Sequence, residues 1–147
     1  MSTIEDLVKQ SINLVYDYRN KNPDAENLAI VFDIDGTLLN SNVPIRPVVE
    51  FYNICKDLGY HLFIVTARDS LGVNETVDQL NDLKIIDYIS LYFRIPTYWD
   101  MHKYKETCRQ SIAAKGYDIF LSIGDSEWDV GKYGGHGVLL PQHESNM

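Results

Sequence analysis

The segment from residue 28 to residue 37 constrains the fold more strongly than any other part of the sequence. The apolar run Leu-Ala-Ile-Val-Phe leads directly into Asp33-Ile34-Asp35-Gly36-Thr37. A continuous apolar run of this length is typical of a strand that is covered on both faces, as in a parallel sheet. We therefore expect a buried strand over residues 28–34, with two carboxylates converging where it ends, because alternate residues of a strand point to the same side.

Helical and strand-like patterns alternate along the rest of the chain. Amphipathic periodicity and helix-start signals predict helices at 3–20, 47–58, 73–83 and 100–115. Short apolar runs predict further strands at 60–65, 88–93, 118–123 and 137–140. Ser2 followed by Glu5 predicts a capping box at the start of the first helix, and residues 40–46 are expected to form a loop. This alternation indicates an α/β fold, a Rossmann-like parallel sheet with helices on both faces.

Length and charge narrow the organisation and the partners. A chain of 147 residues suffices for one domain with a core, so we expect a single domain over residues 1–147. Within it we expect an N-terminal helix in residues 1–22 on or beside the core, and a loose tail at 142–147. The formal net charge of −8 disfavours binding to nucleic acids or membrane surfaces, which requires a basic face. With no apolar stretch of bilayer length and no signal peptide recognisable, we expect a cytoplasmic protein; the oligomeric state stays open.

Acidic and hydroxyl side chains recur where the predicted strands end. Asp33 and Asp35 end the first strand, Thr66 follows the second, and Asp125 and Asp129 follow the fourth. Sheets of this kind build ligand sites outside the carboxyl ends of their strands. Neighbouring carboxylates repel unless a cation lies between them, and Mg²⁺ prefers oxygen ligands. Taken singly, Thr66 and Asp125 are as well explained as turn or cap residues, so the predicted Mg²⁺ site depends on all of them together.

In their order, these residues resemble the four motifs of the haloacid dehalogenase-like (HAD) superfamily. The matching segments are Asp33-Ile34-Asp35-Gly36-Thr37, Thr66, Lys105 and Gly124-Asp125-Ser126-Glu127-Trp128-Asp129. Three more segments resemble the acid phosphatase branch, subfamily IIIB, which includes class B and plant vegetative storage-type members: Phe51-Tyr52, Tyr104-Lys105-Glu106 and Gly116-Tyr117-Asp118-Ile119. The likeness covers residues 28–141. Residues 37–47 are too few for a sizeable cap, so we expect a HAD-like domain with a minimal cap or none.

The resemblance implies a Mg²⁺-dependent phosphatase that hydrolyses small phosphomonoesters through an aspartyl-phosphate intermediate. Asp33 would be the nucleophile, and Asp35 would act as acid and base while its backbone carbonyl binds the metal. The implied catalytic residues are Asp33, Asp35, Thr66 and Lys105. The implied metal ligands are Asp33, Asp35, Asp125 and Asp129, the last directly or through water. The implied phosphate-binding residues are Asp33, Ile34, Thr37, Thr66, Ala67 and Lys105.

Several alternatives stay open at the level of sequence. Lys103 and Lys105 point about 200° apart on a helix, so only one of them faces the site, and the resemblance favours Lys105. Arg68 either contacts the leaving group of the substrate or pairs with Asp69 or Glu75. A phosphotransferase or a nucleic-acid end phosphatase would use the same residues, although the acidic charge disfavours the latter. A non-catalytic storage or binding protein on this fold would be expected to lack the nucleophile.

Overall fold

Strands and α-helices alternate along residues 2–142, the part of the chain that this computed structural model describes. The strands are β1 (Leu28–Phe32), β2 (Leu39–Asn40), β3 (Val43–Pro44), β4 (His61–Asp69), β5 (Ser90–Arg94), β6 (Asp118–Gly124) and β7 (His136–Leu139). The helices are α1 (Ile4–Lys21), α2 (Arg46–Asp57), α3 (Val73–Asp82) and α4 (Met101–Ala114). Apart from Gln142, the tail predicted at 142–147 lies outside the described residues.

The strand β1 occupies the centre of a parallel sheet. Five strands follow the order β5-β4-β1-β6-β7, and β1 pairs in parallel with β4 on one side and β6 on the other. All residues of β1 are buried. Because successive side chains point to opposite faces, Ile30 and Phe32 join one core layer while Ala29 and Val31 join the other. The predicted α/β fold with a Rossmann-like parallel sheet is confirmed.

Helices cover both faces of this sheet. On one face, α1 contributes Val8 and Val15, and α2 contributes Phe51, to the core layer that contains Ile30 and Phe32. On the opposite face, α4 contributes the buried residues Tyr104, Cys108 and Ile112. The core layer under α4 also contains Val31 and Val65, which lie just before the predicted site residues Asp33 and Thr66 in the sequence. Among the helices within residues 2–142, none is both long and apolar enough to cross a bilayer.

The start of α1 differs from the prediction by one residue. The helix begins at Ile4, so Thr3 rather than Ser2 is the cap. The hydroxyl of Thr3 accepts from the backbone N–H of Asp6 at 3.1 Å, and the Asp6 carboxylate accepts from the backbone N–H of Thr3 at 3.3 Å. The predicted Ser2–Glu5 box is therefore wrong, and a capping box one residue later satisfies the backbone N–H groups of Thr3 and Asp6 instead.

The segment after β1 is a hairpin rather than the predicted loop. Strands β2 and β3 pair antiparallel, and the backbone N–H of Ile45 donates to the carbonyl of Leu38 at 2.8 Å as the chain returns. Strand β4 also runs beyond the predicted end at Val65, because after a register shift Asp69 pairs with Arg94 of β5. The hairpin is the whole of the insertion at this position, in agreement with a minimal cap.

Candidate active site

A glycine brings the loop after β1 close to the loop after β6. Gly36 has a φ of 77°, in the left-handed region that favours glycine. A Cβ atom at this position would overlap the carboxylate of Asp125. The turn therefore places Asp33 and Asp35 beside the acid that follows β6, and any larger residue at position 36 would push the two loops apart.

Asp33 lies directly beyond the central strand and is 8% exposed. Its Oδ1 accepts a hydrogen bond from Lys105 Nζ at 3.0 Å, and its Oδ2 accepts one from the Thr37 hydroxyl at 3.3 Å. Its backbone N–H donates to the carbonyl of Ile123 in β6 at 3.1 Å. Contacts from three segments thus fix the carboxylate at the mouth of the sheet.

Lys105 stands between two carboxylates. Its ammonium contacts Asp33 Oδ1 at 3.0 Å and Asp129 Oδ1 at 2.6 Å, and it donates to the carbonyl of Val65 at 2.7 Å. The side chain is 2% exposed. Burial by itself lowers the pKa of this ammonium, but the charges of Asp33 and Asp129 outweigh burial and raise it. The structure therefore brings Lys105 to the predicted site, whereas Lys103 is exposed.

The acids of the site exceed this one buried cation. Burial, with a smaller contribution from the charges of Asp129 and Asp125, raises the pKa of Asp33 to about 8 against the opposing effect of Lys105. Burial likewise raises the pKa of Asp125. Because three carboxylates share one ammonium here, the cluster gains from a further positive charge when all three are ionised.

These three carboxylates fit a divalent cation. Asp33, Asp125 and Asp129 each offer a carboxylate oxygen, and the three oxygens lie within 4.8 Å of one another. Asp129 Oδ1 is buried and has no hydrogen-bond partner within residues 2–142 besides its ion pair with Lys105. A Cβ atom on Gly124 would overlap Asp129, so glycine makes room for this acid. An all-oxygen donor set of this kind suits Mg²⁺.

Asp35 turns away from this cluster and pairs with Arg68. The guanidinium binds both carboxylate oxygens, with Nε at 2.9 Å from Oδ2 and Nη2 at 2.8 Å from Oδ1. Of the two alternatives for Arg68, the pairing with Asp69 or Glu75 is therefore wrong, and contact with a leaving group stays a prediction. The hydrogen bond to Asp35 raises the pKa of Arg68 further. The Asp35 side chain is 56% exposed, so it faces solvent at the entrance of the site.

The predicted phosphate-binding residues surround Asp33. Thr66 is fully buried, and its hydroxyl accepts from the backbone N–H of Arg68 at 3.1 Å. The backbone N–H of Thr37 donates to the carbonyl of Ile34 at 3.1 Å, and the Thr37 hydroxyl donates to Asp33 Oδ2. The carbonyl of Ala67 accepts from the Arg94 guanidinium at 2.9 Å. The last of these contacts joins the end of β4 to the end of β5, while the first two stabilise the end of β4 and the turn that follows β1.

Sequence reasoning missed Arg109, which supports the loop that carries Asp129. The guanidinium is buried and donates to the carbonyls of Lys132 at 2.9 Å, Trp128 at 2.8 Å and Val130 at 3.5 Å. Burial lowers the pKa of Arg109. Its position four residues after Lys105 places both cations on the same face of α4, which is the signal that would have found it.

An open cavity of about 930 Å³ adjoins Arg68 on the side of α3. Its wall includes Arg68, Thr76 and Gln79, and further along it the acidic side chains Asp69, Glu75, Asp78 and Asp82. The cavity lies beside the carboxylate cluster only through Arg68, the partner of Asp35.

Comparisons with known proteins agree with this geometry. The sequence model of the family described as "HAD superfamily, subfamily IIIB (Acid phosphatase)" matches residues 40–142. The match begins after Asp33 and Asp35 and includes Thr66, Lys105 and Asp129. A search of curated proteins finds no significant match.

Two solved structures show a similar fold. "Structure of the Pnkp1/Rnl/Hen1 RNA repair complex" contains a chain that matches with a TM-score of 0.70 and 18% identity, over 82% of this chain and 44% of that one. "Structure of Pnkp1/Rnl/Hen1 complex" matches with a TM-score of 0.71 and 19% identity, over 82% and 48%. The chain thus spans about half the length of these matched chains. Because the family model covers more than half of the sequence, the chain belongs to subfamily IIIB of the HAD superfamily, the acid phosphatases.

Proposed function

We propose that this phosphatase hydrolyses small phosphomonoesters through an aspartyl-phosphate formed on Asp33. The observation that carries the proposal is the placement of Asp33 at the end of β1, where Lys105 and Thr37 each hold one of its oxygens. A carboxylate fixed in this way is aligned for attack on phosphorus. Asp35 lies two residues further on, at the solvent-facing entrance where a leaving group would emerge.

In the first step, a carboxylate oxygen of Asp33 attacks phosphorus and the bond from phosphorus to the ester oxygen breaks. Asp35 gives its proton to that departing oxygen. Two unit charges about 4 Å apart repel by roughly 4 kcal/mol at an effective dielectric of 20, and a phosphate dianion doubles this. Lys105 offsets part of the repulsion, since its ammonium is 3.0 Å from Asp33 Oδ1.

In the second step, Asp35 takes a proton from water as the water oxygen attacks the phosphorus of the aspartyl-phosphate. The bond between phosphorus and Asp33 breaks, and inorganic phosphate leaves. Thr66 and the rim around Ile34, Thr37 and Ala67 would hold the phosphate oxygens in both steps. Asp35 thus serves first as acid and then as base.

Mg²⁺ is the proposed cofactor. Asp33, Asp125 and Asp129 would hold it through their carboxylates, together with the backbone carbonyl of Asp35. When bound, a divalent cation neutralises charge on the phosphoryl oxygens and orients the substrate. The pKa of Asp33, raised by burial and by its acidic neighbours, would fall beside such a cation, and the nucleophile would be ionised.

Hydrolysis of p-nitrophenyl phosphate tests this function. We expect activity that depends on Mg²⁺, and we expect Asp33→Asn to lower kcat by at least about 10³-fold, as loss of a nucleophile does elsewhere. The matched control is Asp118→Asn, because Asp118 is an exposed acid at the opposite end of β6. Full activity of Asp33→Asn would exclude the aspartyl-phosphate mechanism. Adding a simple alcohol and measuring alkyl phosphate distinguishes hydrolysis from phosphoryl transfer.

A nucleic-acid end phosphatase is the second candidate. Within residues 2–142 the insertion between β1 and α2 is a short hairpin, and the Asp35 side chain is 56% exposed, so a chain end has access. The two similar folds come from an RNA repair complex. The acids along the adjoining cavity would repel a polyanion. We therefore expect an oligonucleotide with a 3′-phosphate to give a lower kcat/KM than a small phosphomonoester. The opposite ranking would establish the second candidate.

The proposed organisation is one domain over residues 1–147. Helix α1 supplies Val8 and Val15 to the same core layer as Phe32 of the central strand. The segment 1–22 would then be part of the domain rather than an appendage to it.

A further inference from the structure

We propose that Gln79 is a positioning residue, which fixes the guanidinium of Arg68 so that Arg68 can orient the Asp35 carboxylate toward the leaving group. This inference rests on the proposed function, in which Asp35 is the acid that protonates the leaving oxygen. Gln79 lies on α3, outside every motif that the sequence analysis identified. It acts through Arg68 and does not itself touch the reacting atoms.

All three nitrogens of the Arg68 guanidinium are bound. Nε and Nη2 hold the two oxygens of Asp35 at 2.9 and 2.8 Å. The third nitrogen, Nη1, donates to Gln79 Oε1 at 2.7 Å and to the Thr76 hydroxyl at 3.2 Å. The shorter of these two rear contacts is the one to Gln79. Arg68 therefore reaches Asp35 as a planar group that is held from behind.

Gln79 is itself held by the β2–β3 hairpin. Its Nε2 donates to Asn42 Oδ1 at 2.9 Å and to the carbonyl of Ser41 at 3.3 Å. The amide oxygen of Gln79 thus accepts from Arg68, and the amide nitrogen donates to the turn between β2 and β3. Four segments of chain meet through it: α3, β4, the hairpin and the loop that carries Asp35.

Exposure explains why such a support matters. The side chains of Asp35 and Arg68 are 56% and 23% exposed, and an ion pair in contact with water holds its partners only weakly. Two long side chains would otherwise sample several rotamers. The rear contacts to Gln79 and Thr76 restrict Arg68 to one orientation, and the two parallel hydrogen bonds transmit that orientation to Asp35.

The chemistry offers a readout that loss of stability alone would not change. A nitrophenolate departs without a proton, whereas an alkoxide needs one from the general acid. Disorder of Asp35 should therefore slow the cleavage of an alkyl phosphate more than that of p-nitrophenyl phosphate. The parameter to compare is kcat/KM, because it reports the step in which the ester bond breaks and not the later hydrolysis of the aspartyl-phosphate.

The experiment measures kcat/KM for ethyl phosphate and p-nitrophenyl phosphate in three variants. Gln79→Met removes both polar atoms at similar length, and should lower the ethyl phosphate value by about 10-fold, while p-nitrophenyl phosphate changes by less than about 2-fold. Gln79→Glu keeps an oxygen for Arg68 but loses the nitrogen that donates to Asn42 and Ser41, so its ethyl phosphate value should fall between those of the original protein and Gln79→Met. The matched control is Gln110→Met, because Gln110 is an exposed glutamine on α4.

Equal losses for the two substrates, or no loss for either, would overturn the proposal. Asn42→Leu cuts the same connection from the side of the hairpin, and it gives the deciding comparison if Gln79→Met does not fold. Asp33→Asn, measured in parallel, separates the two levels of the argument. If it stays active, the proposed function fails; if it is inactive while the Gln79 and Asn42 variants show no leaving-group dependence, only the positioning role fails.

Discussion

Lys105 holds together a site whose other charged groups repel one another. Its ammonium bridges Asp33 and Asp129 and donates to the carbonyl of Val65 on the neighbouring strand. Removing one partner of such a buried network leaves uncompensated charge in a medium that solvates it poorly. We therefore expect the same side chain to support the integrity of the site and, in the proposed mechanism, to lower the barrier to phosphoryl transfer.

Replacement of Lys105 tests both roles. We expect Lys105→Met to lower kcat on p-nitrophenyl phosphate by about 10²–10³-fold, as loss of one electrostatic group does in other enzymes. It should also lower the free energy of unfolding by about 3 kcal/mol, because Asp33 and Asp129 lose their shared partner. The control is Lys103→Met, since Lys103 is exposed two residues earlier on the same helix. An equal loss of kcat in both variants would contradict the placement of Lys105 in the site.

The pKa of Asp33 predicts how metal-free stability depends on pH. Burial raises this pKa from 3.8 to about 8, so between about pH 4 and pH 8 the folded state retains a proton that the unfolded state releases. Stability therefore falls as the pH rises through this window. Asparagine does not titrate, so the free energy of unfolding of Asp33→Asn, relative to that of the original protein, should increase from pH 5 to pH 8. We expect this relative increase to be at least about 1.4 kcal/mol, the equivalent of one pKa unit. Urea unfolding of both proteins in the presence of a chelator measures the free energies at each pH. The same difference between variant and original protein at pH 5 and pH 8 would contradict the prediction.

Among the elements, α4 organises the side of the site where the carboxylates of Asp33 and Asp129 lie. Lys105 contacts the carboxylates, and one turn later Arg109 binds three carbonyls in the segment 128–132, which carries Asp129. The helix therefore positions Asp129 in two ways: Lys105 contacts the Asp129 side chain, and Arg109 holds the backbone of the segment around it. Any change in how α4 packs on the sheet should alter metal binding as well as stability.

Substitution of Arg109 tests this coupling. Arg109→Met should lower the free energy of unfolding by about 2–4 kcal/mol, because buried carbonyls lose charged donors. It should also weaken Mg²⁺ binding by about 10-fold, as loss of supporting contacts does at other metal sites, although Arg109 touches no ligand oxygen. Gln110→Met is the neighbouring control, and calorimetric titration with Mg²⁺ measures the affinity. Unchanged affinity in a destabilised Arg109→Met would limit this residue to a purely structural role.

An element or contact could be predicted when its signal is local in the sequence, and it was missed when it depends on tertiary structure. The motif acids fall at strand ends, and parallel topology brings such ends together, so Asp33, Asp125 and Asp129 were expected to meet and do. The hairpin of β2 and β3 has strands of two residues, too short for any periodicity. The partner of Arg68 was missed because nearer acids were available in sequence, whereas Asp35 is 33 residues away and becomes adjacent only through the pairing of β1 with β4.

At the scale of the whole molecule, the order of the strands determines which side chains of the site come together. Since β1 lies between β4 and β6, the nucleophile candidate, the phosphate-binding threonine and the two further acids come from three adjacent strands. The molecule as a whole carries a net charge of −8. Three of its acids, Asp33, Asp125 and Asp129, are brought together in the site, so a divalent cation would relieve repulsion that the fold itself creates.

Binding of Mg²⁺ should accordingly stabilise the whole fold. A ligand that binds only the folded state at 100 times its dissociation constant adds about 2.7 kcal/mol, which corresponds to a rise in Tm of roughly 5–10 °C for a chain of this size. We expect this rise for the original protein, little or none for Asp125→Asn, and the full rise for Asp118→Asn, whose exposed acid lies at the far end of the same strand. Sodium chloride at equal ionic strength corrects for screening of the net charge. Thermal unfolding with and without Mg²⁺ measures the change in Tm. Asp125 supplies one of the three carboxylate oxygens that lie within 4.8 Å of one another. A rise in Tm of the same size in Asp125→Asn would therefore mean that the ion binds elsewhere.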